Sequence, residues 1–171
     1  MTTIRLVPLA EEHEHALLET MRDPDVLRFT RTPDPMPAGW VHEYVERFRT
    51  EDRGGWAILD GEEFVGYAVT GPIDRDGLEV ELGYAVSPWA RGRGIATETL
   101  RQLTQWAFDE GMKRVVAMIS VDNPASSRVA RKAGYTFEGV LRSMHHRGDL
   151  REDLESWSIL PGELPAPHPP S

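Results

Sequence analysis

A glycine-rich turn between a strand-like and a helix-like segment is the feature that most constrains this chain. The turn, Arg91-Gly92-Arg93-Gly94-Ile95-Ala96-Thr97, follows an alternating run over residues 78–86 and precedes a helical pattern over residues 97–110. Glycines let the backbone turn sharply and approach a ligand closely, and the first turn of a helix presents unpaired N–H groups with a partial positive charge. The two arginines add charge. This order of elements predicts a cradle for a pyrophosphate.

Two common pyrophosphate-binding turns do not match. A P-loop requires Gly-x-x-x-x-Gly-Lys-Ser/Thr, which the sequence lacks. A Rossmann turn carries a third small residue and lies in the first βαβ unit of its domain. Here Thr97 does not supply that residue, and the turn comes past the middle of the chain. A nicotinamide-dependent oxidoreductase is therefore disfavoured.

Length and composition predict a single globular domain. The 171 residues can bury a core on their own, and 40% are hydrophobic. The absence of cysteine excludes disulfides and a thiolate nucleophile, and the histidines lack metal-ligand spacing, so we expect no metal. The net charge of −9 disfavours nucleic acid and suits a cationic acceptor. With no signal peptide and no membrane-length apolar run, we expect a cytoplasmic protein that binds no membrane.

Hydrophobic periodicity predicts the order β-α-α-β-β-β-α-β-α-β-β, which is an α+β or mixed α/β fold. The predicted strands cover residues 4–8, 56–59, 64–70, 78–86, 115–121, 135–141 and 155–160, and the helices cover residues 10–21, 40–48, 97–110 and 125–133. We interpret Asp23-Pro24 as ending the first helix and the polar residues 143–151 as a loop. The domain is predicted to span residues 1–160, followed by a proline-rich tail over residues 161–171 that frays.

Three segments resemble motifs of the GNAT N-acetyltransferase superfamily. Arg91, Gly94 and Ala96 fill its Arg/Gln-x-x-Gly-x-Gly/Ala motif. Two further segments, residues 123–135 and Glu81-Leu82-Gly83-Tyr84, are similar to signatures of the RimJ/RimL branch. The resemblance implies a mostly antiparallel mixed sheet of about seven strands flanked by about four helices. It also implies acetyl-coenzyme A as the acyl donor and a primary amine as the acceptor.

The resemblance implies two contacts with the donor. The turn would bind the pyrophosphate, and the pantetheine arm would pair with main chain at the end of strand 78–86. The implied cofactor-binding residues are Tyr84, Ala85, Val86, Arg91, Gly92, Arg93, Gly94, Ile95, Ala96, Thr97, Asn123 and Ser126. Asn123 precedes a proline at a helix start, so capping the helix and contacting pantetheine both stay open for it.

Acyl transfer to an amine needs a proton acceptor for the amine and benefits from a proton donor for the thiolate. Glu81 is the candidate base, because the family often uses a glutamate on this strand; facing solvent or binding a structural arginine is the alternative for Glu81 and for Glu79. The tyrosine that many members use as the acid is replaced here by Ala130. In the resembled branch a serine takes that role, which implies Ser126; capping a helix is the alternative for this residue.

The acceptor is not identified by the sequence. The resemblance implies that the first helices line the acceptor pocket, so Arg28, Phe29 and Arg31 are candidate contacts, with Glu79 as a further one and as the reserve base. The acceptor is either a protein N-terminus or a small-molecule amine. A homodimer is one option for assembly. A non-catalytic module that binds acyl-coenzyme A is the alternative function, against which Glu81 and Ser126 argue.

Overall fold

The computed structural model describes residues 3–166. Its strands are β1 (Ile4–Pro8), β2 (Gly55–Asp60), β3 (Glu63–Thr70), β4 (Glu79–Val86), β5 (Arg114–Ser120), β6 (Thr136–Arg147) and β7 (Leu150–Ile159). Its α-helices are α1 (Glu14–Met21), α2 (Pro24–Phe29), α3 (Trp40–Arg47), α4 (Ile95–Asp109) and α5 (Pro124–Lys132). Short 3-10 turns cover Glu11–His13 and Pro88–Ala90. The predicted mixed α and β fold is confirmed.

The seven strands form one sheet in the order β1-β2-β3-β4-β5-β7-β6. Every neighbouring pair is antiparallel except β4 and β5, which run parallel. A parallel connection needs a crossover, and α4 supplies it. The carboxyl ends of β4 and β5 therefore lie at the same edge of the sheet, and a helix follows each of them.

The two faces of the sheet bury different cores. One face packs against α4 and α5 through apolar side chains that include Val80 and Leu82 of β4. The other packs against α1, α2 and α3, with Ala85 of β4 in its core. Successive side chains of a strand point to opposite faces, so Glu79, Glu81 and Gly83 share the α1–α3 face with Ala85, as the alternation predicted.

Two predicted loops are regular structure. Asp23-Pro24 does end α1, but it also begins α2, because the Asp23 carboxylate accepts hydrogen bonds from the N–H groups of Asp25 and Val26 and proline suits the first helical position. Residues 143–151, predicted as a polar loop, form the tip of the β6–β7 hairpin. The prediction was wrong there because this part of β6 is mostly exposed and carries no apolar alternation.

The described part of the proline-rich tail lies against the domain. Leu164 packs against the core on the α4 and α5 face. Arg101 of α4 donates a hydrogen bond of 2.9 Å to the Pro165 carbonyl. The segment from 161 to 166 is thus attached to the domain, and the rest of the predicted tail, 167–171, falls beyond the described residues.

Candidate active site

The site is built around the point where β4 and β5 separate. Their ladder contains three pairs and ends at Glu81 and Val116. Beyond it, β4 stays paired with β3 to Val86, and β5 stays paired with β7 to Ser120. Main-chain groups on the inner edge of β4 past Glu81 therefore have no partner in β5. An extended ligand arm can use these groups in place of the missing strand.

The glycine-rich turn lies at the end of β4 that opens onto this gap. Gly92 and Gly94 have φ angles of 78° and 76°, in the left-handed region that favours glycine. A Cβ at either position would meet open space, so the glycines keep the approach to the turn clear. Gly94 is the N-cap of α4 and offers no side chain to the first N–H groups of that helix. These N–H groups suit an anion.

The two arginines of the turn already bind carboxylates. Arg91 donates to Asp23, the N-cap of α2, and approaches Asp25 at 3.5 Å. Burial raises the pKa of Asp23, but hydrogen bonds from Arg91, Val26 and Asp25 outweigh it and hold that pKa below its ordinary value. Arg93 contacts Glu63 at 3.3 Å. The main-chain N–H groups, more than these side chains, are thus the groups open to a pyrophosphate.

Asn123 caps the helix that follows β5. Its side-chain oxygen accepts a hydrogen bond of 3.2 Å from the Ser126 N–H, and Pro124 occupies the first helical position. Both are helix-start features that the sequence displays. The helix cap is therefore Asn123 rather than Ser126, which leaves the Ser126 hydroxyl for another partner.

That partner is the hydroxyl of Tyr84. The two oxygens lie 2.8 Å apart and join β4 to the first turn of α5. Burial raises the pKa of Tyr84, and the bond to Ser126 offsets part of this effect, so the phenol stays protonated at neutral pH. The position at which many family members carry a tyrosine holds Ala130, which is fully buried. Sequence reasoning assigned only the main chain of Tyr84 and missed its side chain.

Glu81 lies where the β4–β5 ladder ends, on the α1–α3 face. Its carboxylate makes no hydrogen bond or ion pair with residues 3–166. Surrounding protein atoms raise the pKa of Glu81 by desolvation, and Arg31 lowers it in part. The side chain nonetheless keeps contact with solvent. Partial desolvation together with solvent access suits a carboxylate that accepts a proton.

Glu79, two residues earlier on the same face, has a structural partner. Its carboxylate lies 3.1 Å from Nε of Arg114, which also binds Glu138 at 2.7 Å. This network joins β4, β5 and β6. The structure thus gives Glu79 the arginine partner that the sequence left open as an alternative and separates it from Glu81, which has none.

The candidate acceptor contacts on the first helices have different surroundings. Arg28 binds Glu152 of β7 at 2.6 Å and Asp122 at 3.0 Å, and its guanidinium stacks over the Phe29 ring at 5.0 Å. These contacts attach α2 to the β6–β7 hairpin. Arg31 is exposed, and its charge acts on Glu81 and on His145. Of the candidates on the first helices, Arg31 is the one whose charge acts on the candidate base.

The β6–β7 hairpin contributes residues that the sequence did not single out as site residues. Glu155 accepts hydrogen bonds of 2.7 Å from Ser127 and 2.8 Å from the Trp157 indole. His145 is 8% exposed, and its Nε2 has no hydrogen-bond partner among residues 3–166. Gly148, with a φ of 58°, makes the two-residue turn. Gly148-Asp149 was the sequence signal that could have identified this hairpin.

Comparison with models of known protein families identifies the family of this chain. The model for the acetyltransferase (GNAT) domain matches residues 3–136. The chain belongs to the GNAT acetyltransferase family. The sequence is 31% identical over 144 residues to phosphinothricin N-acetyltransferase of Streptomyces viridochromogenes, covering 82% of this chain and 76% of that protein. It is 30% identical over 150 residues to FsC-acetyl coenzyme A-N(2)-transacetylase of Aspergillus fumigatus, covering 78% of this chain and 62% of that protein.

The GNAT fold is also shared with solved structures. RimL, a ribosomal L7/L12 alpha-N-protein acetyltransferase solved in complex with coenzyme A, superposes with a TM-score of 0.84 at 21% identity. The superposition covers 94% of this chain and 95% of RimL. The chain spans 62% and 64% of the lengths of two of the curated relatives it matches. Within residues 3–166, no helix has the length and apolar character of a membrane span, and no cluster of metal-ligating side chains occurs.

Proposed function

We propose that this GNAT-family protein transfers the acetyl group of acetyl-coenzyme A to a primary amine, by direct attack of the amine in a ternary complex. The observation that carries the proposal is the gap between β4 and β5, which has a helix N-terminus at each side and Glu81 at its base. The pyrophosphate would lie on the N–H groups of the Gly92–Gly94 turn and α4. The pantetheine arm would pair with the open edge of β4.

The proton transfer from the amine and the proton transfer to the departing sulfur would take place on opposite faces of β4. Glu81 points to the α1–α3 face, whereas Tyr84 points to the face of α4 and α5 and reaches Ser126 there. A thioester held in the gap is open to both faces. The amine would approach from the side of Glu81, and the departing sulfur would receive a proton on the side of Ser126 and Tyr84.

The reaction balances with these groups. Glu81, directly or through a water, removes a proton from the ammonium group, and the amine nitrogen forms a bond to the thioester carbon. As the carbon–sulfur bond breaks, the nitrogen releases its second proton to water. The thiolate takes a proton from water, either directly or through the Ser126–Tyr84 pair, which water then reprotonates. No cysteine is present to form an acetyl-enzyme through sulfur. A single ternary complex therefore accounts for the transfer without a covalent intermediate.

The test is an acceptor panel that follows release of free thiol from acetyl-coenzyme A and identifies the product by mass spectrometry. The panel contains peptides with free N-termini, amino acids, phosphinothricin and polyamines. We expect intersecting initial-rate lines when both substrates are varied. Parallel lines, which indicate an acetyl-enzyme, would exclude direct attack, and binding of acetyl-coenzyme A without turnover of any amine would favour a non-catalytic module.

Glu81→Gln and Glu79→Gln form a matched pair for the base. Both remove one carboxylate from the same face of β4, two residues apart. Loss of a positioned base lowers turnover by about 10²–10⁴-fold. We therefore expect a fall of this size in kcat/KM for Glu81→Gln, smaller at high pH, with acetyl-coenzyme A affinity retained. Glu79→Gln should keep most of the activity. The opposite ranking would transfer the role to Glu79.

A further inference from the structure

Helix α2 is attached to both of the segments that follow the separated strands. At its start, the carboxylate of Asp23 binds Arg91, which lies in the turn between β4 and α4. Near its end, Arg28 lies 3.0 Å from Asp122, which lies between β5 and α5. One short helix therefore connects the two segments at which the proposed donor site opens, on the side of the sheet that carries α1 and α3.

The attachment at the start of α2 also caps the helix. One oxygen of the Asp23 carboxylate accepts hydrogen bonds from the N–H groups of Asp25 and Val26. The same oxygen accepts the hydrogen bond from the Arg91 guanidinium, and the Asp23 side chain is only 10% exposed. Because one carboxylate serves both contacts, the first turn of α2 cannot shift without moving away from Arg91.

The attachment near the end of α2 has several partners. Besides Asp122, Arg28 binds Glu152 of β7 at 2.6 Å. Arg147 of β6 donates a hydrogen bond of 2.5 Å to the main-chain carbonyl of Leu27. The C-terminal half of α2 is thus fixed to β6 and β7, and through Arg28 to the segment that leads into α5.

The length of α2 fits a gap that admits one extended chain. Paired strands lie about 4.8 Å apart, so two strands with one extended ligand arm between them lie about 9.6 Å apart. An α-helix rises about 1.5 Å per residue, which gives the six residues of α2 a length of about 9 Å. A rigid element of this length between the two attachments opposes both closure and widening of the gap.

We propose that α2 sets the distance between the helix starts of α4 and α5 that bind acetyl-coenzyme A, and that Asp23 and Asp122 are positioning residues for this distance. The inference rests on the proposed acetyltransferase function and assigns a role to residues that do not bind the donor. Loss of either attachment would release one side of the gap, so that only a fraction of the molecules has the width that binds the donor. Both carboxylates carry the same sign of charge as the pyrophosphate, so loss of that charge alone would strengthen donor binding.

The test is calorimetric titration of acetyl-coenzyme A into Asp23→Asn, Asp122→Asn and the double variant. Asparagine has nearly the shape of aspartate, and at position 23 it also caps a helix. We expect Kd and the KM for acetyl-coenzyme A to rise about 2–5-fold in each single variant, which is the factor that corresponds to an exposed ion pair, with kcat little changed. The double variant should bind no more weakly than the weaker single variant, because either change already releases the gap.

Two further variants are controls. Glu138→Gln breaks another partly exposed ion pair, 2.7 Å from Arg114 at the start of β5, the strand end opposite to Asp122, and should leave Kd unchanged. Asp122→Glu keeps the charge and should bind as the unmodified protein does. Unchanged or tighter binding in either asparagine variant, or effects that multiply in the double variant, would overturn the inference and leave the proposed function standing. Failure of the unmodified protein to bind acetyl-coenzyme A would overturn both.

Discussion

The hydrogen bond between Tyr84 and Ser126 allows a quantitative prediction about the free energy of unfolding. A bond between two neutral hydroxyls contributes about 0.5–1.5 kcal/mol to stability. The helix cap of α5 is Asn123, so Ser126→Ala loses this bond without losing a cap. We expect Ser126→Ala and Tyr84→Phe each to lower the free energy of unfolding, and the double variant to show a coupling energy of about 0.5–1.5 kcal/mol.

The same variants test the chemistry. If the hydroxyl pair donates a proton or a hydrogen bond to the departing sulfur, kcat at saturating acetyl-coenzyme A and acceptor should fall in both single variants. The fall in kcat should be about 10²-fold, at the lower end of the rate gain from general acid catalysis, because water can also protonate the thiolate. The double variant should fall no further than the slower single variant, since each removes the same unit.

Unfolding in urea without ligand measures the free energies of unfolding and the coupling energy, and steady-state thiol release measures kcat. Ser127→Ala is the control, because its hydroxyl lies on the same turn but binds Glu155 instead of Tyr84. It should lower stability without coupling to Tyr84→Phe and should keep kcat. A coupling energy near zero between Ser126 and Tyr84 would refute the hydrogen bond. A normal coupling energy with unchanged kcat would leave the pair a structural contact.

Three further predictions concern the turn and the base. Gly94→Asp should greatly weaken acetyl-coenzyme A binding in calorimetry, because its carboxylate blocks and repels the pyrophosphate, whereas Gly111→Asp, at the other end of α4 with a similar positive φ of 90°, should bind normally. Arg91→Gln should lower stability by about 1 kcal/mol or less in urea unfolding, because the Asp23 pair is partly exposed, and should change acetyl-coenzyme A affinity less than Gly94→Asp does. The folded state raises the pKa of Glu81, so the ionised carboxylate lowers the stability of the fold above that pKa. Glu81→Gln should therefore raise the melting temperature at pH 7. This gain should shrink at pH values below about 4, where the carboxyl group is protonated in both states. A gain that grows toward low pH would show that the pKa is lowered instead.

Most of the fold could be predicted from local signals in the sequence. The Gly92–Gly94 turn and the alternation of β4 depend on neighbours in sequence, and both are present as predicted. Asp23-Pro24 is ambiguous from sequence, because the same pair ends one helix and begins the next. The tip of the β6–β7 hairpin buries little apolar surface, so only its turn residues indicate this hairpin in the sequence.

The side-chain arrangement of the site was less accessible from sequence. Tyr84 and Ser126 are separated by 42 positions, and their contact exists because β4 and α5 meet across the gap. The turn arginines looked like phosphate ligands, but their carboxylate partners, Asp23 and Glu63, come from distant segments. Which charges are neutralised and which stay open is a property of tertiary packing. Arg31 could be distinguished from Arg28 only once those pairings were known.

The central claim is that the gap between β4 and β5, together with the turn at Gly92–Gly94, holds acetyl-coenzyme A. Calorimetric titration of the protein with acetyl-coenzyme A, with ATP and with NADH tests it most directly. The account predicts one site per chain for acetyl-coenzyme A and much weaker binding of the two nucleotides, because neither has a pantetheine arm to pair with the open edge of β4. Equal or tighter binding of ATP or NADH would contradict the claim.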